Sequence, residues 1–290
     1  MSDYKKHPMV HVCPLAELDD RIKAQGFVVV LQGRDSRIST GCTPCDFRDA
    51  SVLFFRPGSL IDGESRIHGE SLCLSFCGDW LDGSLAKAFG PYSPTLCCSS
   101  KASWEQLYPF FSYSLKESLH LSLKEKAMLE HCLDDIKREK DWGIDSHTNV
   151  LLAEKIKVFF DYCARYYERQ FITRSCLHRS LLIRLQHVAD EYLLTGEYNL
   201  CHPHVPTSRF AGQMEMSEAY LLDFLKHETG KTLAQYLCFR HFEVAKHQLL
   251  HSPCSILETA RRLGYTTAQC FATAFKRVVG CTPAEYRNAN

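Results

Sequence analysis

The stretch from Cys254 to Tyr286, CSILETARRLGYTTAQCFATAFKRVVGCTPAEY, admits few folds. Ser255 with Glu258 forms a capping box, in which each side chain satisfies a free backbone N–H of the other residue. The helix that follows carries Ile256, Ala260 and Leu263 on one face, and Gly264 supplies the left-handed stop that helix ends favour. Thr266 with Gln269 is expected to cap a second helix, whose apolar side is Phe271, Phe275 and Val278 or Val279 and which Gly280 ends. Thr282-Pro283-Ala284-Glu285 then restarts a third helix, with an N-cap Thr, Pro at the first helical position and Glu at the third. A helix, a tight glycine turn and a second helix is the organisation of a helix-turn-helix, whose second helix can enter a DNA major groove.

A second such pair precedes it. Thr207 to Met214 is one helix, Met216-Ser217 the turn, and Glu218 to Glu228 the second helix, ended by Gly230. Thr232 with Gln235 caps a long helix reaching about His251. At 1.5 Å per residue that connecting helix is ~28 Å long, against about 34 Å for one turn of DNA. A rigid connector of that length can hold two recognition helices in successive major grooves, which would let one chain read an asymmetric site.

The chain upstream has a different character. Gly26 to Leu31, Ser51 to Phe55 and Ser71 to Phe76 are short apolar runs read as strands, and Arg37 to Thr40 is read as a return strand. Residues 1–25 read as a polar, loosely structured start, and β structure is expected up to about Cys77. Short strands punctuated by Gly and Pro suggest a small barrel or sandwich. From Trp104 the period is helical: Ser122 and Glu125 cap one helix, Asp145 or Ser146 starts the next, and a third runs from about Cys176 to Leu194. The expected fold class is therefore α+β. A β-barrel or sandwich spans 1–103, a helical segment 104–200 and an all-α domain with two helix-turn-helix units 201–290.

Lys and Arg balance Asp and Glu at 34 each over 290 residues, so the whole chain carries no electrostatic signature. From Val205 onward there are 10 Lys and Arg against 7 Asp and Glu, leaving 24 against 27 for the rest. That weak basic bias permits nucleic-acid binding without demanding it. The N-terminus lacks an apolar signal-peptide core, and no run approaches the roughly 20 apolar residues of a membrane span. With 15 cysteines scattered singly or in close pairs, reduced thiols in the cytoplasm are expected.

At this point the C-terminal region is recognisable. Residues from about 205 to 287 closely resemble the DNA-binding domain of AraC/XylS-type bacterial transcription regulators. The resemblance rests on Phe210-Ala211, Met216-Ser217, Tyr220-Leu221, Lys226, Glu228-Thr229-Gly230, Ala245-Lys246 and Leu249-Leu250. It continues through Ser255-Ile256, Ala260, Leu263-Gly264-Tyr265, Phe271, Phe275-Lys276 and Gly280, to Thr282 through Arg287. Phe110 to Phe171, including Arg165-Tyr166-Tyr167-Glu168-Arg169-Gln170-Phe171, resembles members typical of Bacteroidetes. The resemblance implies a cupin-like N-terminal regulatory domain, helices that commonly dimerise, and recognition helices facing bases through Ala219, Leu222 and Asp223 in the first unit. In the second unit the matching positions are Ala268, Gln269, Cys270 and Thr273. Many relatives carry Arg where this chain has Asp223 and Thr273. Asp repels phosphates but can accept from cytosine N4, and Thr can meet a thymine methyl. Lys226, Lys231, Arg240, Lys246, Lys276 and Arg277 are expected phosphate contacts. The implied partners are double-stranded DNA, a small-molecule effector, a second copy of the chain and, for an activator, RNA polymerase. The competing reading is a ligand- or protein-binding module with weakened DNA readout.

Other chemistry is thin. Cys42-Thr43-Pro44-Cys45 with Cys73 and Cys77 nearby lacks a two-pair zinc clamp. Cys97-Cys98 reads as loop thiols and Cys201-His202-Pro203-His204 as linker. Between Gly26 and Trp80 the only His is His68, too little for a metal-dependent cupin enzyme. Neither a cofactor nor a metal is expected, and no nucleophile–base set points to an enzyme. Val29, Leu31, Phe54 and Cys73 are the expected lining of an effector pocket inside the barrel.

Overall fold

In the computed structural model the chain is described over residues 9–33, 41–60, 67, 71–89, 103–142, 145–198 and 205–289. The readings at Arg37 to Thr40, His68, Cys97-Cys98 and Cys201 to His204 lie outside them. The chain forms two compact units, Met1–Arg174 and Ser175–Asn290.

The first unit is built on β1 (Val10–Pro14), β2 (Phe27–Gly33), β3 (Ala50–Phe55), β4 (Ser71–Phe76) and β5 (Leu119–Leu121). Among the described residues these form one antiparallel sheet in the order β1-β4-β2-β3-β5. α1 (Asp20–Gln25) precedes β2; α2 (Gly78–Phe89) and α3 (Trp104–Leu107) follow β4; α4 (Leu123–Trp142) and α5 (Thr148–Thr173) close the unit. The run Phe27 to Leu31 is apolar without alternation because β2 is buried on both faces. Val29, Leu31, Val52, Phe54, Leu74 and Phe76 face a cluster completed by α2, α4 and α5. Val28, Val30, Leu53, Phe55 and Cys73 face the other way, against Leu15, Leu18 and Leu60.

This arrangement corrects the expected pocket. Cys73 lies on the face opposite Val29, Leu31 and Phe54, and the space before those three is filled by aromatic rings. Phe54 and Phe110 centroids are 4.4 Å apart, and Trp104 meets Phe27 edge-on at 4.7 Å and Phe111 at 5.0 Å. Helices, rather than a second sheet, cover that face. The structure also has β1 and α1 where a loose start was expected, and β5 well beyond Cys77.

The Ser122–Glu125 cap forms as expected, with the Ser122 N–H donating to Glu125 at 2.9 Å. Asp145 accepts from the His147 and Thr148 N–H groups at the start of α5. The helical stretch 104–200 divides between the units: α4 and α5 pack in the first, and the following helix in the second.

The second unit contains α6 (Ser175–Leu194), α7 (Thr207–Met214), α8 (Glu218–Thr229), α9 (Leu233–His251), α10 (Ile256–Arg262), α11 (Ala268–Val279) and α12 (Pro283–Ala289). α6 packs against α7 and α9, burying Leu185, Ala189, Tyr192 and Leu193. It belongs to the second compact unit, Ser175–Asn290. Capping boxes form at Thr232–Gln235, Ser255–Glu258 and Thr282–Glu285. The cap of α11 is Thr267, accepting from the Cys270 N–H at 3.1 Å, one residue after the expected Thr266. Gly264 has φ +80°, and a Cβ there would meet the carbonyls of Gly196 and Tyr198 at 2.7 and 2.8 Å. In the first turn the left-handed residue is Glu215, φ +59°. Arg184 steadies that turn by donating to the Gln213 carbonyl and the Glu215 carboxylate.

Candidate nucleic-acid interface

α8 and α11 are the second helices of the two helix-turn-helix pairs. Each buries one stripe: Tyr220, Leu221, Phe224 and Leu225 on α8, Phe271 and Phe275 on α11. Residues three or four positions apart share a helix face, so those about two positions from the buried stripe face outward. Leu222 is 41% exposed and Lys226 is exposed, whereas Ala219 and Asp223 are half-buried. On α11, Gln269, Cys270, Thr273, Lys276 and Arg277 are exposed and Ala268 is half-buried.

The two faces differ chemically. The α11 face is a shallow hollow of about 320 Å³ lined by Gln269, Cys270, Thr273, Ala274 and Arg277. Because Thr267 is the cap and Cys270 the third helical residue, the Gln269 amide takes no part in the cap and faces outward. The Thr273 hydroxyl donates back to the Gln269 carbonyl at 2.9 Å, which occupies its proton and leaves its methyl as the outward feature. The α8 face instead joins Leu222 and Asp223 to the exposed Glu218. It offers an apolar and an acidic group where α11 offers an amide, a methyl and a guanidinium.

Among the expected phosphate contacts, three are already engaged within the unit. Arg240 makes a two-pronged ion pair with Asp190 at 2.7–3.0 Å, tying α9 to α6. Lys246 sits 2.8 Å from Glu243, whose hydrogen bond raises the ammonium pKa. Lys231 lies over the Phe239 ring at 5.6 Å and near the Thr229 carbonyl. Lys226, Lys276 and Arg277 remain exposed. Arg261 and Arg262, in the last turn of α10, are also exposed. The Arg-Arg doublet before Gly264 was their visible signal in the sequence.

Among the described residues, one cluster has metal-ligand chemistry: Cys42, Asp46 and His120, with their donor atoms mutually within 4.8 Å. Its carboxylate is already used. Arg174 Nε and Nη2 donate to the two Asp46 oxygens at 2.9 and 2.7 Å, and the Thr43 N–H and hydroxyl donate to one of them at 2.7 Å. A cation here would meet the guanidinium, so the cluster is an ion-pair clasp. Cys73, expected near the Cys42–Cys45 pair, instead faces Cys13 across the sheet.

The sequence profile of a helix-turn-helix domain matches residues 210–289. That stretch is similar to the helix-turn-helix domains of AraC/XylS-type regulators. The chain is 30% identical over 96 residues to the transcriptional activator RhaR of Salmonella dublin, covering 33% of this chain and 34% of that protein. Against RhaR of Salmonella arizonae the identity is 33% over the same length and the same shares. The chain thus spans about a third of the curated relatives it matches. The C-terminal domain of AraT, a response regulator from Geobacillus stearothermophilus, is 26% identical over 38% of this chain and 85% of that one. Its TM-score of 0.30 is too low to bear on the fold. α8 and α11, the second helices of the two pairs, both lie within the matched stretch.

Proposed function

We propose that this chain is a transcription regulator that binds double-stranded DNA through α8 and α11. The match of 210–289 to a helix-turn-helix domain, with Gln269, Thr273, Lys276 and Arg277 exposed on α11, is the observation that supports it. α11 is the stronger reader. Gln269 is set to pair with adenine, the Thr273 methyl to meet thymine, and Cys270 and Ala268 to pack beside them. Ala219, Leu222 and Asp223 on α8 read a less charged half-site, with Asp223 accepting from cytosine. Lys226, Lys276, Arg277, Arg261 and Arg262 contact phosphates. The first unit is the regulatory module, cupin-like in its antiparallel strands. It would answer to a small-molecule effector and pair with a second copy through its helices, in the cytoplasm. Contact with RNA polymerase belongs to the activator case. No described helix is long and apolar enough to cross a membrane.

The mechanism is a population shift: effector or partner contacts favour a state of the chain in which α8 and α11 reach DNA. The test is selection of bound fragments from the source genome, followed by titration of the best fragment over a salt series. Two boxes about one helical turn apart are expected. Lys276→Ala and Arg277→Ala should each reduce the logarithmic salt slope by about 1, across all sequences. Gln269→Ala should instead flatten preference at one base pair by about 1–3 kcal/mol. Equal affinity for random DNA, with or without cell metabolites, would remove the reading. The acidic, apolar face of α8 would then favour a protein-binding module.

Arg240 gives a sharper control. Arg240→Ala is expected to leave the salt slope unchanged while lowering stability by about 1 kcal/mol, since its ion pair is partly solvated. A slope that falls as it does for Arg277→Ala would return Arg240 to the phosphate set.

A further inference from the structure

Fifteen cysteines are spread through the chain, and two of them are cross-strand neighbours. Cys13 on β1 is the register partner of Cys73 on β4, with the sulfurs 3.8 Å apart. β1 is an edge strand, and Cys13 is half-buried at that edge. Cys73 is fully buried in the core behind it. Antiparallel partners sit about 4.5–5.5 Å apart at Cα, inside the range of roughly 4.4–6.8 Å that a disulfide accepts. Rotation about the side-chain bonds can therefore bring the sulfurs to ~2.05 Å without moving the strands. Cys132 and Cys163, by contrast, are both buried. Cys42 sits in the Asp46 clasp.

We propose that Cys13 is a hydroperoxide-sensitive thiol and Cys73 its resolving partner, the two forming a reversible disulfide that ties the edge strand to the sheet interior. The Cys13 thiolate attacks the O–O bond of a hydroperoxide. An S–O bond forms, the O–O bond breaks, an alcohol or water leaves with a proton, and Cys13 becomes a sulfenic acid. The Cys73 sulfur then attacks Cys13. The S–S bond forms, the S–O bond breaks, and the departing hydroxide takes the Cys73 proton as water. Two thiols are oxidised by two electrons and one hydroperoxide is reduced. The Cys73 hydrogen bond draws the Cys13 pKa down to about 7, against burial that opposes it. The same contact and burial push Cys73 up, so Cys13 is the thiolate of the pair. The proposal stands independently of DNA recognition.

The test treats the full chain with a stoichiometric amount of hydrogen peroxide at pH 7.5, alkylates it, and maps it by mass spectrometry without reduction. A Cys13–Cys73 linked peptide is expected, lighter by two hydrogens than its reduced halves and lost on adding dithiothreitol. Its rate of formation should drop about tenfold per pH step below 7, following the thiolate. Cys73→Ser, whose hydroxyl can still hydrogen-bond Cys13, should leave Cys13 trapped as the sulfenic acid by dimedone, and Cys73→Ala should do so at about pH 9.5, where a thiolate forms without that bond. Cys13→Ser should leave Cys73 reduced. Recovery of Cys13 and Cys73 as separately alkylated peptides while other cysteines oxidise would overturn the proposal. So would a dimedone-silent Cys13 in both Cys73 variants.

Discussion

Replacing Asp46 by alanine is expected to destabilise the N-terminal unit by about 3–5 kcal/mol, the cost of leaving a buried charge without its partner. The side chain of Asp46 is 0% exposed and that of Arg174 7%. Burial alone would raise the Asp46 pKa, but the Arg174 hydrogen bonds and charge, with the Thr43 donors, hold it below its usual value. Without the carboxylate, the buried guanidinium loses its two-pronged partner, while Nη2 still donates to the Gly41 carbonyl at 3.3 Å. The clasp also fixes the turn at Gly41, where φ is +70° and a Cβ would collide with the Lys116 carbonyl. Asp46→Asn should destabilise as well, since it keeps the shape and loses the charge. The double variant Asp46→Leu/Arg174→Met should recover most of the loss, because no charge then stays buried. Urea unfolding of the full chain followed by circular dichroism measures all three. A loss below about 1 kcal/mol for Asp46→Ala would mean that the pair is solvated after all. The clasp joins the loop at 41–46 to Arg174, the last residue of the first unit.

What was legible in the sequence was local. Ser122–Glu125, Thr232–Gln235, Ser255–Glu258 and Thr282–Glu285 each place both halves of a cap three residues apart, and all four form. Gly230, Gly264 and Gly280 stand where a left-handed residue is needed, and all three have positive φ. Thr266 and Thr267 are adjacent and chemically alike, so spacing alone could not choose between them, and the cap fell one residue later. Glu215 takes the left-handed turn in the first pair with no glycine to announce it.

The rest depended on partners far away in the chain. Val10-His11-Val12 is too short to stand out, yet pairing with β4 makes it a strand with Val10 and Val12 buried. Leu119-His120-Leu121 is a strand only because β3 offers it an edge. Arg240 looked like a surface cation because Asp190 lies 50 residues away, and Arg174 meets Asp46 across 128. The effector pocket failed for a related reason. Alternation assigned Phe54 and Cys73 no common reference, and only the register puts them on opposite faces.

The second large effect is a pH dependence of the helical unit, centred on His241. This residue of α9 is fully buried, and neither ring nitrogen has a hydrogen-bond partner among the described residues. Its ring lies 5.4 Å from Tyr198 and 5.5 Å from Tyr265, a setting that solvates no charge. Burial pushes its pKa from 6.5 down to about 4. Above pH 6.5 both folded and unfolded chains hold the imidazole neutral, and it adds no pH dependence. Between pH 6.5 and about 4 the unfolded chain binds a proton that the folded chain refuses. Stability therefore falls with acid, by about 3 kcal/mol over that window. His241→Leu removes the titrating group and the unsatisfied ring nitrogens together. At pH 7.5 the variant should be as stable as the parent or up to about 2 kcal/mol more so, since an unpaired buried polar group is itself costly. At pH 5 its advantage should grow by roughly 2 kcal/mol, the part of the linkage already released there. The readout is the difference between parent and variant in urea midpoint across pH, in which the other histidines cancel. A difference that stays flat from pH 7.5 to 5 would mean that His241 finds a partner in solution and titrates near its ordinary value. The core of the helical unit would then be wetter than its burial implies.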